Sequence, residues 1–191
     1  MRILHVATYN RIPEQYETLK AVNRLAKDFG FLIDSVLATE PDHYWQHMKR
    51  TWGEGDLIII EQDIVPTQDH LTKLAQCGFP ACTVPYMVNG HWSTGRSVYE
   101  RSDAYGPTGR INLGELQPVY TEWYTDKLVP VSGLGLVKIS KELQDKLPIE
   151  NYPIPNHHWS YLDTWISAYM NVMLGLEWHT HYPTVTHNHV F

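Results

Sequence analysis

The chain has 191 residues, 43% of them hydrophobic and 19% charged, with a formal net charge of −6 at pH 7. That length can bury a sizeable core in one domain. The composition is that of a soluble globular protein, with no run approaching the ~18 apolar residues of a membrane span. The acidic balance argues against nonspecific nucleic-acid binding by the whole surface, though it leaves room for a local basic groove.

The N-terminal MRILHVATYN has no basic region followed by an apolar stretch and a small-residue cleavage site, which predicts no export and a cytoplasmic location. Arg2 to Ala7 predicts a first strand. Pro13 to Phe29 predicts an amphipathic helix with Tyr16, Leu19, Val22, Leu25 and Ala26 on its apolar face, closed by Gly30. Phe31 to Ala38 predicts a second strand and Pro41 to Arg50 a short helix. Leu57 to Ile60 is a β-branched-rich run suited to a strand buried on both faces. Thr67 to Cys77 predicts a helix and Ala81 to Tyr86 a strand. From about Asn89 to Thr125 the period dissolves among Gly, Ser, Pro and aromatic residues, the mark of a functional loop or hairpin region. Pro130 to Ile139 returns to strand character with glycines inside it, which suggests a bulge or a close ligand approach to the backbone. Ser140 to Leu147 predicts a short capped helix, Tyr161 to Leu174 a longer one, and His179 to His189 a last strand. Strands alternating with helices mean βαβ units and a mostly parallel sheet.

The segment DLIIIEQDIVP carries the strongest chemical signal. Glu61 and Asp63 follow a buried strand at its carboxyl end, where open α/β sheets bind ligands, and side chains at i and i+2 of an extended or gently turning segment can face one cation. A hard divalent metal with oxygen ligands is the matching guest; two solvated acids in a polar turn are the plain alternative. A second constellation is His179, His181, His187 and His189, paired at i, i+2 spacing. Taken alone these suggest zinc, yet no cysteine and no H-x-x-x-H helix spacing adjoins them. Joined to Glu61 and Asp63, one of them becomes a natural third ligand. Asp163, in WSYLDTWISAYM, falls in the first turns of a helix, either as an acid stabilised by the helix dipole or as a general base for an acceptor hydroxyl. Thr8, Tyr9, Asn10 and Arg11 after the first strand offer backbone N–H groups, an aromatic face and a guanidinium to a nucleotide diphosphate. Cys77 and Cys82 are expected to be free thiols of a cytosolic protein.

In their order along the chain these parts resemble the glycosyltransferases of the GT-A fold. A strand ends in ATYNR, a third strand ends in EQD, VSGLGLVKIS forms a later strand and helix, a helix opens with Tyr-Leu-Asp, and a terminal strand ends in His. The resemblance covers most of the chain apart from residues 89 to 125. It implies a single GT-A-like α/β domain over residues 1 to 191, a mostly parallel twisted sheet flanked by helices. The donor half is about 1 to 88, and the remainder is a small irregular acceptor side with the catalytic half. It implies that Glu61 and Asp63 match the family's Asp-x-Asp motif for Mn2+ or Mg2+ and the donor. It further implies that Asp163 matches the base of the inverting members, that His187 or His189 matches their C-terminal metal-binding His, and that Asp34 or Asp42 matches the acid that contacts the base. The first acid of the motif is Glu rather than Asp here, and the chain is short for the family.

The reading that follows is a metal-dependent glycosyltransferase that moves a sugar from a nucleotide-sugar donor to an acceptor hydroxyl with inversion. The acceptor is left open among small molecules, glycans, proteins and modified nucleic-acid bases. Its rivals are a nucleotide-sugar or glycan-binding module without turnover, a nucleotidyltransferase on the same architecture, and a histidine-rich zinc hydrolase. The nucleotidyltransferase requires a Gly-rich triphosphate loop after the first strand, and residues 7 to 15 contain no Gly.

Overall fold

The computed structural model describes residues 1–8, 13–88, 90–99, 118–151 and 162–185. Its centre is a seven-stranded sheet in the order β2-β1-β3-β11-β4-β12-β9. These strands are β1 (Arg2–Thr8), β2 (Leu32–Ala38), β3 (Leu57–Glu61), β4 (Ala81–Thr83), β9 (Leu128–Val129), β11 (Leu136–Ile139) and β12 (Trp178–Thr180). β1 pairs in parallel with β2 and β3, and β12 in parallel with β4. β11 runs antiparallel to both β3 and β4, and β9 antiparallel to β12. The mostly parallel sheet flanked by helices that the sequence predicts is therefore present, with one reversed strand at its middle and one at its edge.

Alternation along the strands builds a core on each face. Leu4, Val6, Leu57, Ile59, Val137, Ile139 and Trp178 point to one side and are covered by α2 (Pro41–Thr51), α4 (Lys141–Gln144) and α5 (Leu162–Tyr169) through Tyr44, Met48, Leu143, Trp165 and Ile166. Ile3, Ile58, Ile60, Cys82 and Leu136 point to the other, under α1 (Pro13–Phe29) and α3 (Gln68–Gln76), which supply Val22, Leu25, Leu71 and Leu74. The first four residues of β3 are buried, as a strand covered on both faces must be. Each of its isoleucines contributes about 1.5–3 kcal/mol by leaving water.

The helices end where the sequence signals them. Gly30 follows α1 at φ 67, and its neighbour Phe31 donates back to Ala26 O at 2.9 Å. Thr67 caps α3 by accepting from His70 N, while the His70 ring reaches back to Thr67 N, a capping box with His in the usual Glu position. Ser140 caps α4. α5 continues into a π-helical turn, Met170–Leu174, which stops at Gly175 with φ 64.

The described parts of the irregular middle of the chain are hairpin structure. β5 (Met87–Val88) pairs with β6 (His91–Trp92), while β7 (Thr94–Tyr99) pairs with β8 (Pro118–Trp123) and with β10 (Val131–Ser132) in a three-stranded sheet. The strand expected over Pro130 to Ile139 is two strands belonging to different sheets, β10 and β11, with the glycines at the crossing. The reason is Tyr86: a Cβ on Gly133 would lie 2.6 Å from its hydroxyl, and one on Gly135 2.6 Å from its ring. The close approach expected there is made by a tyrosine of the protein itself. The final strand is likewise shorter than expected, β12 ending at Thr180.

Candidate functional site

At the carboxyl end of β3 the chain turns, with Ile64 N donating to Glu61 O at 3.1 Å. Glu61 is thus the last residue of β3 and Asp63 lies in the turn that follows it, the gently turning case of the expectation. Asp63 is buried at 6% exposure, and Asp163 arrives in the first turn of α5 from the far part of the sequence. Burial pushes the Glu61 carboxyl up to about 8, the charges of Asp63 and Asp163 push it the same way, and the Tyr44 hydroxyl, donating to Glu61 Oε1 at 3.3 Å, pulls it down. All three acids therefore act on one site. Tyr44 in turn is held well above its ordinary range by burial and then by the Glu61 charge. Tyr86 is raised by burial, then by Glu61 and Asp163. Its hydroxyl accepts from Gly135 N at 3.2 Å, and Gly135 O accepts from Glu61 N at 2.9 Å, so the tyrosine fixes the backbone from which Glu61 projects.

The other expected residues fall elsewhere. Thr8 is the last residue of β1, opposite Ala38. Tyr9, Arg11, His187 and His189 lie outside the described residues. Asp34 does not follow the second strand but sits within β2 opposite Leu4, two rows below the Val6–Glu61 row. There it bonds Arg2 at 2.8 Å. Asp42 opens α2. Sequence reasoning missed Tyr44 and Tyr86. Tyr44 and Met48 at i, i+4 read as an ordinary core stripe of α2, and nothing local to Tyr86 announces its reach to Gly135.

A second group lies at the other side of the sheet. Cys77 caps the end of α3 and Cys82 lies in β4; they are disulfide-bonded rather than free thiols. The turn from α3 into β4 folds one sulfur back on the other, a proximity that compartment arguments do not see. His179 on β12 is the register partner of Cys82, and His181 N donates to Thr83 O at 2.8 Å. One ligand atom from each of Cys77, Cys82, His179 and His181 falls within 4.8 Å of the others. The expectation that these histidines lack cysteine neighbours is thus corrected: the cysteines come from a distant part of the chain. Burial lowers the His181 ring to about 4, assisted by His179, Lys73 and Lys138, and lowers His179, assisted by Lys127; both are neutral imidazoles at pH 7.

No family model matches the chain, and no curated protein matches it. Among solved structures it is similar to a glycosyltransferase involved in the glycosylation of the major capsid of PBCV-1, at 9% identity and TM-score 0.46, over 96% of this chain and 83% of that one. It is also similar to the inositol-1-phosphate CTP transferase from T. maritima, at 10% identity and TM-score 0.46, over 98% of this chain and 89% of that one. Likenesses this distant say nothing about activity. Among the described residues no helix is long and apolar enough to cross a membrane.

Proposed function

We propose that this protein is a metal-dependent glycosyltransferase that moves a sugar from a nucleotide-diphosphate sugar to an acceptor hydroxyl with inversion. The observation that carries the reading is the convergence of Glu61, Asp63 and Asp163 at the carboxyl end of β3, with Glu61 driven up to about 8. Burial is the main cause of that rise and the charges of Asp63 and Asp163 add to it; a bound divalent cation would relieve both, and carboxylate oxygens suit Mn2+ or Mg2+. Glu61 and Asp63 would hold the ion, with His187 or His189 as the further ligand that the family resemblance implies. When bound, it supplies positive charge against the diphosphate leaving group.

The chain's own residues do the rest. The Tyr44 hydroxyl orients Glu61. Asp163 accepts the proton of the acceptor hydroxyl as that oxygen bonds to the anomeric carbon; the bond from that carbon to the diphosphate oxygen breaks, and the nucleoside diphosphate leaves with the electron pair. Attack from the face opposite the leaving group inverts the centre. The acceptor class stays among small molecules, glycans, proteins and modified bases.

The test is a thermal-shift and calorimetric screen of nucleotide sugars with and without Mn2+, followed by assays of donor hydrolysis and transfer. A metal-dependent donor response that Asp63→Ala abolishes is the expected result. No response to any nucleotide sugar sinks the reading. Donor binding without turnover makes the protein a binding module, and turnover of a nucleoside triphosphate with a sugar phosphate makes it a nucleotidyltransferase.

A further inference from the structure

Cys77, Cys82, His179 and His181 have no part in the acid site, and the disulfide accounts for only half of their arrangement. A bond between cysteines separated by 5 in sequence closes a very short loop and restrains little of the unfolded chain. It gives no reason for two imidazoles to converge on the same sulfurs from β12. Yet one ligand atom from each of the four lies within 4.8 Å of the others, and His179 Nδ1 stands 3.8 Å from Cys77 Sγ. A tetrahedral zinc ion with Zn–S of about 2.3 Å and Zn–N of about 2.0–2.1 Å needs ligand-to-ligand separations of about 3.3–3.8 Å. Reduction of the disulfide frees the two sulfurs to move apart toward that spacing.

The sulfurs are buried and the two histidines partly buried. Cys82 is fully buried and Cys77 nearly so. The Nε2 atom of His181 is buried and has no hydrogen-bond partner among the described residues, an uncompensated cost unless a ligand is present. Phe79 stacks on His179 at 4.2 Å between ring centroids and 4° between planes, fixing that ring. Lys138, itself buried, donates to Cys77 O at 2.8 Å and pairs with Asp56 at 3.5 Å, which secures the backbone that carries the sulfur.

We infer that in the reduced protein these four residues hold one structural Zn2+ ion, fastening β12 to the α3–β4 turn. Two soft thiolates with two imidazoles in a closed tetrahedron select zinc over the hard cations suited to the acid site. Binding releases the two thiol protons and leaves a neutral centre, two thiolate charges against the doubly charged ion. The disulfide is the oxidised state of the same pair. With hydrogen peroxide as oxidant, the thiolates surrender two electrons to form the S–S bond, peroxide takes them with two protons to become two waters, and Zn2+ departs.

The full chain should be purified with a phosphine reductant and its metal content measured, then titrated with Zn2+ and Co2+. The expected result is one zinc per chain and, with cobalt, the visible bands of a tetrahedral ion together with sulfur-to-metal charge transfer. Cys82→Ser should lose the metal. His181→Cys, which keeps four ligands, should retain it and strengthen the charge-transfer band, so a folding failure of the serine variant does not remove the test. Peroxide should expel one zinc as two thiols disappear. A reduced, folded protein that takes up neither Zn2+ nor Co2+ overturns the proposal, as does a cobalt spectrum without sulfur charge transfer.

Discussion

At the carboxyl end of β3, burial lifts Glu61 to about 8, and the charges of Asp63 and of Asp163, which comes from a distant part of the chain, push it the same way. Across β11 and β4, two sulfurs and two neutral imidazoles meet with no net charge to oppose them, and among the described residues only this group has its ligand atoms gathered so closely. The difference teaches what each arrangement is fitted for. A buried acid pressed by neighbouring charges leaves work for a guest to do, whereas a neutral set that is already converged acts as a fastening.

The comparison makes its largest prediction at Asp163. Asp163→Asn should lower transfer by about 10²- to 10⁴-fold, the usual cost of removing a general base, while donor affinity measured by calorimetry stays near wild type. Near-normal turnover would leave Asp163 as a structural acid, since Asn near a helix start is tolerated. A smaller effect is expected at Gly135, where Ala would drive its methyl into the Tyr86 ring. Gly135→Ala should cost about 1–3 kcal/mol in denaturant unfolding and disturb donor binding through the Gly135–Glu61 backbone bond. Zinc content should not change, and a change in both would show that the two ends are mechanically coupled.

The pH dependence sharpens the contrast. Glu61 has a folded value of about 8 against an ordinary 4.5, so between those values the native state keeps a proton that the unfolded state has released. Its contribution is fully present below pH 4.5 and is lost as pH rises toward 8. Relative to Glu61→Gln, wild type should lose stability across that window by something on the order of several kcal/mol in thermal melts, and saturating Mn2+ should flatten the slope. Identical slopes in the two proteins would mean that Glu61 is not raised in the folded state. The smallest effect belongs to Arg2 and Asp34, a partly exposed pair remote from both groups. Arg2→Ala should shift stability by less than about 1 kcal/mol and leave donor and zinc binding unchanged.

What was legible in the sequence was local. Pro13 and Gly30 bracket α1, Thr67 caps α3, and the unbroken apolar run of β3 declares a buried strand, because each signal lies within a few residues of its effect. Glu61 and Asp63 could be read as a candidate site for the same reason. The sulfur–imidazole group was not readable, because β12 and β4 lie far apart in the sequence and meet only through pairing in the sheet. The split of the segment expected as one strand into β10 and β11 was hidden too. Glycines in a strand announce that something comes close, but not that it is the ring of Tyr86.

The route of the chain between Thr83 and Leu128 has a consequence for how such a protein can diversify. This excursion leaves the main sheet at β4 and re-enters it at the edge strand β9, carrying β5 to β8 with it. Extending a flexible loop costs only about 0.6 kcal/mol for each doubling of its length. Descendants of one ancestor can therefore enlarge, trim or exchange this part while β3, β4 and β12, with Glu61, Cys82 and His179 on them, keep their register.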